Sequence, residues 1–536
     1  MRERLFYVAL ILCALPALGW SLPDIKGKTE PSREPYQPFV NSPTGVPASE
    51  QPTLTPAPFN DPKRVWTLPE LVDEGLKRNP NTTEAWALAK SAAADVNVAR
   101  SAYYPTVTLG GNGGAAHDTT PLYPGSQRVN QFTAGPQIQI EYLLLDFGAR
   151  SAGVEAARFN LLSRNFSFNQ TLQSVVLSIL TSYYNLDGAK AGVANAEAAL
   201  ALTTATFKSV EIKQSVGLGN STDVAQARQG MEQSRFNLEN ARGVLSTAEI
   251  QLATSLGLPG NVHMEVAPPS NLPSLAILEE QVNKLIDLAF RQRPDLAGKY
   301  NTWRSRLAAA DQAEANRWPT LTTGANLQRT YYQADSSGPG GNFKGSGNYD
   351  DASATLSFRF DIFDGGNKSN QALSAKKLAE SAKADLLVSE LGAISDVVTN
   401  FVTFKTAAKK MDAAQALLDA SQKSLDSVQI GYKTGLKNIL DLLTAQSNLA
   451  AARSTLSQSR TDLFVSSANL SNSTGSLLPG TGSATAELTP MPATARTEVA
   501  IPADTTDALP QPEKVEPLPL PVKAGPPVAT DDTTDP

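Results

Sequence analysis

A chain of 536 residues with only 7% aromatic residues, and with long stretches rich in Ala, Ser, Gln and Leu, suits long helices better than compact cores. Its net charge of −6 comes without a basic cluster, which excludes a nucleic-acid partner. The single cysteine, Cys13, excludes a disulfide framework within the chain and any site built on several thiolates.

Arg2 and Arg4 precede the apolar run LFYVALILCAL and the small residues of ALPALGWS, the layout of a secretory signal peptide. The run is too short for a membrane helix. Cleavage is placed after Gly19, with Ser21 as the alternative, so residues 1–19 and Cys13 with them are removed. Lipidation at Cys13 is disfavoured because Leu12 before it is bulkier than lipoprotein processing usually accepts. Residues 20–64 and 476–536 are predicted to be disordered. Of 36 prolines, 22 lie in 22–63 and 476–536, among Thr, Ser, Glu and Asp, and such segments bury too little apolar surface to offset chain entropy. The ordered part then runs from about Val65 to Gly475, and no stretch in it offers the eighteen apolar residues of a transmembrane helix.

This ordered part reads as two repeats, 65–270 and 271–475. LKRNPN at 76–81 matches FRQRPD at 290–295, and YYPTVTLGG at 103–111 matches RWPTLTTGA at 317–325, both offset by 214. Further on the offset is 218. It relates LDFGAR at 145 to FDGGNK at 363, and VGLGNSTDVAQA at 216 to TGLKNILDLLTA at 434. The four extra residues fit most simply in the Gly-rich loop QADSSGPGGNFKGSGNY.

Each repeat begins with a helix and continues into a β-hairpin, at 105–147 and 319–364. In ASATLSFRFDIF, Ala352, Ala354, Leu356, Phe358, Phe360 and Ile362 alternate with Ser353, Thr355, Ser357, Arg359 and Asp361, the period of a strand. QIQIEYLL alternates likewise, with Ile138, Ile140 and Tyr142 opposite Gln137, Gln139 and Glu141. TVTLGG and TLTTGANLQRTYY supply the partner strands, and the polar stretches 115–130 and 333–349 read as hairpin loops. An alternating sheet can cover a soluble core. Strands of about ten residues behind an export signal also suit a tilted bilayer crossing. Four strands cannot close a barrel, and lipid tolerates no open edge, so a membrane sheet must be pooled between copies of the chain.

Proline-free segments at 150–217 and 368–434 predict long helices, each roughly 100 Å if continuous. In the second, Phe404, Ala407, Met411, Ala414, Leu418, Ser421, Leu425, Val428 and Tyr432 fall at alternating spacings of three and four, a coiled-coil seam. Return helices are predicted at 221–257 and 439–473, antiparallel to the long ones.

No catalytic, cofactor or metal constellation stands out. The two histidines, His117 and His263, are far apart, and GGNGG and GPGG lack the strand-to-helix context of a phosphate loop. At the helix turns, Asn220 with Asp223 and Asn438 with Asp441 have the form of helix caps, and capping alone accounts for both pairs.

The duplicated order of short helix, hairpin, D-F-G-A-R, long helix, V-G-L turn and returning helix, behind a signal peptide, resembles the TolC family of outer-membrane efflux and export channels over nearly all of 65–475. The resemblance implies a mixed α and β membrane protein. Three chains give four strands each to a twelve-stranded transmembrane β-barrel, continued by a long periplasmic α-helical coiled-coil barrel. It implies a passive, non-enzymatic exit duct in a tripartite efflux or type I secretion system, spanning the outer membrane and reaching into the periplasm. The implied partners are two further copies in a homotrimer, outer-membrane lipid, a periplasmic adaptor (membrane-fusion) protein and an inner-membrane pump of the ABC, RND or MFS type. Gly217, Leu218, Gly219, Gly435 and Leu436 match the adaptor-docking tips. Asp441, in YKTGLKNILD, matches the acid at the periplasmic constriction, where three copies would favour cations. Relatives carry another acid where this chain has Thr444. Tyr432 and Lys437 match residues that tie the second turn to the first, where Thr222 and Asp223 match the acceptors. A competing reading is a trimeric coiled-coil stalk, structural or adhesive, without a gated pore, and a soluble helical scaffold is a third. The cargo is not legible.

Overall fold

The computed structural model describes residues 59, 64–269 and 282–477. The signal peptide predicted over 1–19, nearly all of the Pro-rich segment 20–64, and the tail 476–536 beyond Leu477 lie outside the described residues.

A short strand β1 (Val65–Trp66) leads into α1 (Leu68–Arg78) and α2 (Pro80–Ser101). A capping box opens α1: Glu70 accepts from the Thr67 backbone N–H and from its hydroxyl, both at 2.9 Å. That backbone bond, followed by the hydroxyl, holds the Glu70 carboxyl below its usual range. Where one helix was expected there are two, because a proline cannot continue a helix whose i−4 carbonyl it would strike. Asn79 occupies the break. Its side chain accepts from the Asn81 N–H at 2.9 Å and donates to the Ser255 carbonyl at 2.9 Å. β4 (Glu265–Val266) pairs in parallel with β1, and further on the break recurs where α5 (Val282–Gln292) gives way at Pro294 to α6 (Pro294–Ala315). Arg293 stands in the place of Asn79, held by Asp295 at 2.7 Å and Asp396 at 3.1 Å.

Four strands, β2 (Thr106–Leu122), β3 (Gly125–Leu145), β5 (Thr320–Ser337) and β6 (Phe343–Arg359), form one antiparallel sheet in the order β2-β3-β5-β6. The strands are longer than the ten residues expected. The segments 115–130 and 333–349, read as loops from their polarity, are mostly strand, with turns only at 123–124 and 338–342. Backbone pairing does not require apolar side chains, so the strands continue through polar residues. At the other end β6 stops at Arg359, so Phe360, Ile362 and Phe363 lie beyond the strand, exposed.

Register confirms the alternation. Leu109 faces Ile138, Ile138 faces Leu327, and Leu327 faces Ala352, all on one side of the sheet. Val107, Leu356 and Phe358 share that side, while Gln137, Gln139, Asn326 and Ser353 lie on the other. Gly135 permits the join between hairpins: an added Cβ there would lie 1.8 Å from the Arg329 carbonyl oxygen.

The long helices are α3 (Ala149–Ser215) and α7 (Asn367–Lys433), 67 residues each, followed by α4 (Ser221–Ser255) and α8 (Ile439–Ser473), 35 each. Each long helix packs along its return helix, and α3 also packs along α8. All nine seam positions of α7 are buried or half-buried. Contrary to the sequence expectation, α7 does contain an 18-residue window apolar enough to cross a membrane, with a mean hydropathy of 1.3. Its exposed residues Leu387, Leu391, Val398 and Val402 follow a 4-7-4 spacing and add a second apolar stripe to the seam.

Among the described residues, three apolar clusters hold the helices together. The first joins Trp66, Leu71, Ile179 and Leu252 around β1 and β4, and includes Tyr183, whose hydroxyl donates to the Ala267 carbonyl at 2.7 Å. Burial, with Asp187 nearby, pushes that hydroxyl up to about 12. The second links α5, α7 and α8 through Leu285, Val397, Phe404 and Leu470. The third lies toward the helix turns.

Sheet and helices meet at two elbows. At the first, D-F-G-A-R places Phe147 and Gly148 at positive φ, and Asp146, 8% exposed, accepts from the Arg150 backbone N–H at 2.7 Å. The Arg150 guanidinium bonds Asp146 at 3.0 Å and also reaches the carbonyls of Leu143 at 2.7 Å and Leu144 at 3.2 Å. One side chain thus caps α3 while the other pins the end of β3. At the second elbow exposed Asp364 caps α7 through the Lys368 N–H at 2.9 Å, and Lys368 forms a half-buried pair with Asp361 at 3.0 Å. Gly365 and Gly366 both have positive φ there.

Candidate functional site

The residues singled out at the helix turns come together at one end of the helical layer. Val210 of α3, Ala227 of α4, Leu425 of α7, and Ile439, Leu442 and Ala445 of α8 form the third cluster, with Tyr432 packed against it. This end is therefore a four-helix junction, and the two turns project from it.

Both turns have the same construction. At the end of α3 the Leu218 N–H reaches the Lys213 carbonyl at 2.8 Å and the Gly217 N–H reaches that of Gln214 at 2.9 Å. At the end of α7 the Leu436 N–H reaches the Gly431 carbonyl at 2.8 Å and the Gly435 N–H that of Tyr432 at 3.3 Å. These are Schellman stops, which need a left-handed residue one place past the cap; Gly217 has φ +75° and Gly435 +79°. Such a stop normally folds its next apolar residue back on the helix, yet Leu218 is 80% and Leu436 83% exposed. Replacing Gly435 with Ala is expected to cost about 1–2 kcal/mol through the left-handed backbone, readable as a lowered thermal midpoint with the Leu436 surface otherwise intact.

Asn220 and Asn438 cap the return helices, accepting from the N–H groups of Asp223 and Asp441, each at 2.8 Å. The turns then differ. Asp441 completes a capping box by accepting from the Asn438 N–H at 3.3 Å, and Lys437 lies 3.9 Å from its carboxylate. Asp223, on the matching first turn, closes no box: among the described residues its half-buried carboxylate makes no hydrogen bond or ion pair. Capping thus accounts for the Asp441 side chain but not for that of Asp223.

Among the described residues, neither Tyr432 nor Lys437 hydrogen-bonds Thr222 or Asp223 of its own chain. Tyr432 instead lies under the Lys213 ammonium, 4.2 Å from the ring centre, so within one chain the second turn meets the end of α3. Lys213 was not visible as a partner because its approach depends on how α3 and α7 dock. Thr444 is exposed, one turn along α8 from Asp441. No group of His, Cys, Asp or Glu among the described residues could hold a metal ion. His117 pairs with Asn130 on the sheet, and exposed His263 lies 3.9 Å from Glu249.

The family model for outer membrane efflux proteins matches residues 71–258 and 285–476. Protein CyaE of Bordetella pertussis is 25% identical over 379 residues, 71% of this chain and 77% of that protein. Outer membrane protein TolC of Escherichia coli K12 is 23% identical over 402 residues, 73% of this chain and 78% of that one. In fold, the outer-membrane channel OprN superposes with a TM-score of 0.65 at 19% identity, covering 78% of this chain and 91% of its own.

Proposed function

The chain belongs to the outer membrane efflux protein family, and from that premise we propose that three copies form the exit duct of a tripartite efflux or type I secretion system. It is an outer-membrane channel protein extending into the periplasm, and family members are transport proteins rather than enzymes. The stalk reading finds no support among these relatives.

The observation that carries the proposal is a four-stranded sheet with both edges open among the described residues, fused to 67-residue helices. The outer edges of β2 and β6 each present seventeen residues of backbone that lipid cannot solvate. Pairing β6 of one copy with β2 of the next removes every edge, and with three copies it gives twelve strands. The side carrying Leu109, Leu327, Leu356 and Phe358 faces lipid, and the Gln, Asn, Thr and Ser side lines a wet lumen. The exposed stripe on α7 is covered by the neighbouring copy. The repeated element lengths fit an internal duplication, with repeats at 65–270 and 271–475.

At the tips, the exposed Leu218 and Leu436, with Gly217, Gly219 and Gly435, form the surface on which a periplasmic adaptor docks. An inner-membrane pump of the ABC, RND or MFS type supplies the energy. Asp441 from each copy rings the narrow end, and the unpartnered Asp223 of one copy, with Thr222, accepts from Tyr432 and Lys437 of the next. Lys437 holds a carboxylate as a point charge rather than through a guanidinium fork.

Single-channel recording in planar bilayers at low salt, where screening is weak, tests this reading. Tyr432→Phe with Lys437→Ser is expected to raise the conductance of the isolated channel, and Asp441→Ala to lower its cation preference. A purified chain that stays monomeric in detergent, or a trimer that does not conduct, would refute the duct.

A further inference from the structure

The lipid-facing side of the sheet carries charge immediately beyond its apolar rows. Those rows end with Leu327 and Ala352, and the next residues on the same side are Arg329 and Asp350, directly paired in register. The Arg329 Nε lies 3.5 Å from Asp350 Oδ1, too far for the two-pronged contact that would occupy a guanidinium fully, and its Cζ lies 5.8 Å from the Tyr331 ring centre. Farther out on this side Lys344 pairs with Asp335 at 3.2 Å, and exposed Arg128 has no ion pair among the described residues. Three cations therefore stand against two carboxylates, with spare N–H donors. Phe132 and Tyr331, both about half exposed, lie among them as interfacial aromatics do.

We propose that Arg329, Lys344 and Arg128 form a binding surface for the sugar-linked phosphates of a phosphorylated glycolipid in the outer leaflet. The inference rests on the channel reading above, because only a barrel in the bilayer presents this face to lipid. The spread of the cations selects the head group. Arg128 pairs with Ser337, eight residues beyond Arg329, which is about 26 Å along a strand and about 18 Å along the membrane normal at the usual tilt. A glycerophospholipid interface is only about 5–8 Å deep on each side of the bilayer. Phosphates distributed over several sugars fill the taller layer. The partial pairing with Asp350 and Asp335 keeps the cations extended along the wall, and each carboxylate yields its cation to a more highly charged phosphate.

The test uses the full-length detergent-solubilised trimer and native mass spectrometry. The probes are a bis-phosphorylated diglucosamine lipid, its dephosphorylated form and phosphatidylglycerol. The bis-phosphorylated lipid is expected to bind about tenfold or more tightly than either of the others, a preference lost in the Arg128→Gln/Arg329→Gln/Lys344→Gln variant. Arg128→Lys/Arg329→Lys should retain it, and Asp350→Asn, which releases Arg329, should strengthen binding several-fold, a gain no purely structural role produces. Equal binding of phosphatidylglycerol, or unchanged binding in the triple variant, overturns the glycolipid site. In both cases conductance separates the two readings: a conducting trimer with unaltered binding removes only the lipid site, whereas a chain that forms no conducting trimer removes the channel and the site together.

Discussion

Arg150→Ala is expected to destabilise the protein by about 3–5 kcal/mol, the usual result of removing one partner from a buried ion pair. Asp146 and Arg150 have side-chain exposures of only 10% and 12%. The substitution strands the Asp146 carboxylate and leaves the Leu143 and Leu144 carbonyls without their guanidinium donor. Because these groups join the last residues of β3 to the first turn of α3, the loss falls on the angle between sheet and helix as well as on stability. It should appear as a marked fall in the temperature at which the proposed trimer dissociates on gels. Lys368→Ala at the second elbow, where both side chains of the pair with Asp361 are 31% exposed, should lower that temperature less. Equal losses at the two elbows would show that the buried pair has no special part in the junction.

Gly135→Val should prevent the two hairpins from joining. Even the Cβ of an alanine would sit 1.8 Å from the Arg329 carbonyl oxygen and 2.9 Å from its carbonyl carbon. The obstacle is backbone, so no rotamer change relieves it and β3 must separate from β5. Overpacking of this kind costs about 3 kcal/mol or more, and here it divides the sheet at the contact between the first and second hairpins. The expected result is chain that reaches the outer membrane poorly and yields little of the proposed trimer. Gly114→Ala, where an added Cβ meets nothing within 4 Å, is the matched control and should assemble normally.

What the sequence made legible followed from periodicity. The alternation of Ile138, Ile140 and Tyr142 with Gln137, Gln139 and Glu141 gives the faces of the sheet, and the three-four spacing from Phe404 to Tyr432 gives the buried side of α7. What it hid depends on contacts between distant segments. The strands run through polar residues that carry no alternation, so their length becomes clear only when Ala115 is seen opposite Phe132 and Thr119 opposite Arg128. The parallel pairing of β1 with β4 joins dipeptides 200 positions apart, too short for any pattern. D-F-G-A-R was recognisable as a transition, but its reason, Arg150 reaching back to the strand carbonyls, lies in the folded geometry. At the turns the caps at Asn220 and Asn438 were readable, whereas the Lys213 approach to Tyr432 was not.

The paired helices have equal lengths: 67 residues in α3 and α7, 35 in α4 and α8, 22 in α2 and α6, and 11 in α1 and α5. In the proposed trimer these helices are staves of a closed wall and must match in height. A single residue inserted into α7 above the seam would lengthen that stave by about 1.5 Å, and at 3.6 residues per turn it would also rotate everything below by about 100°. Phe404, Leu418 and Leu425 would swing away from α8 and toward water. Substitution changes one contact, whereas insertion misdirects every contact downstream, so added residues fit at the hairpin turns at 123–124 and 338–342, where no neighbouring stave must be matched.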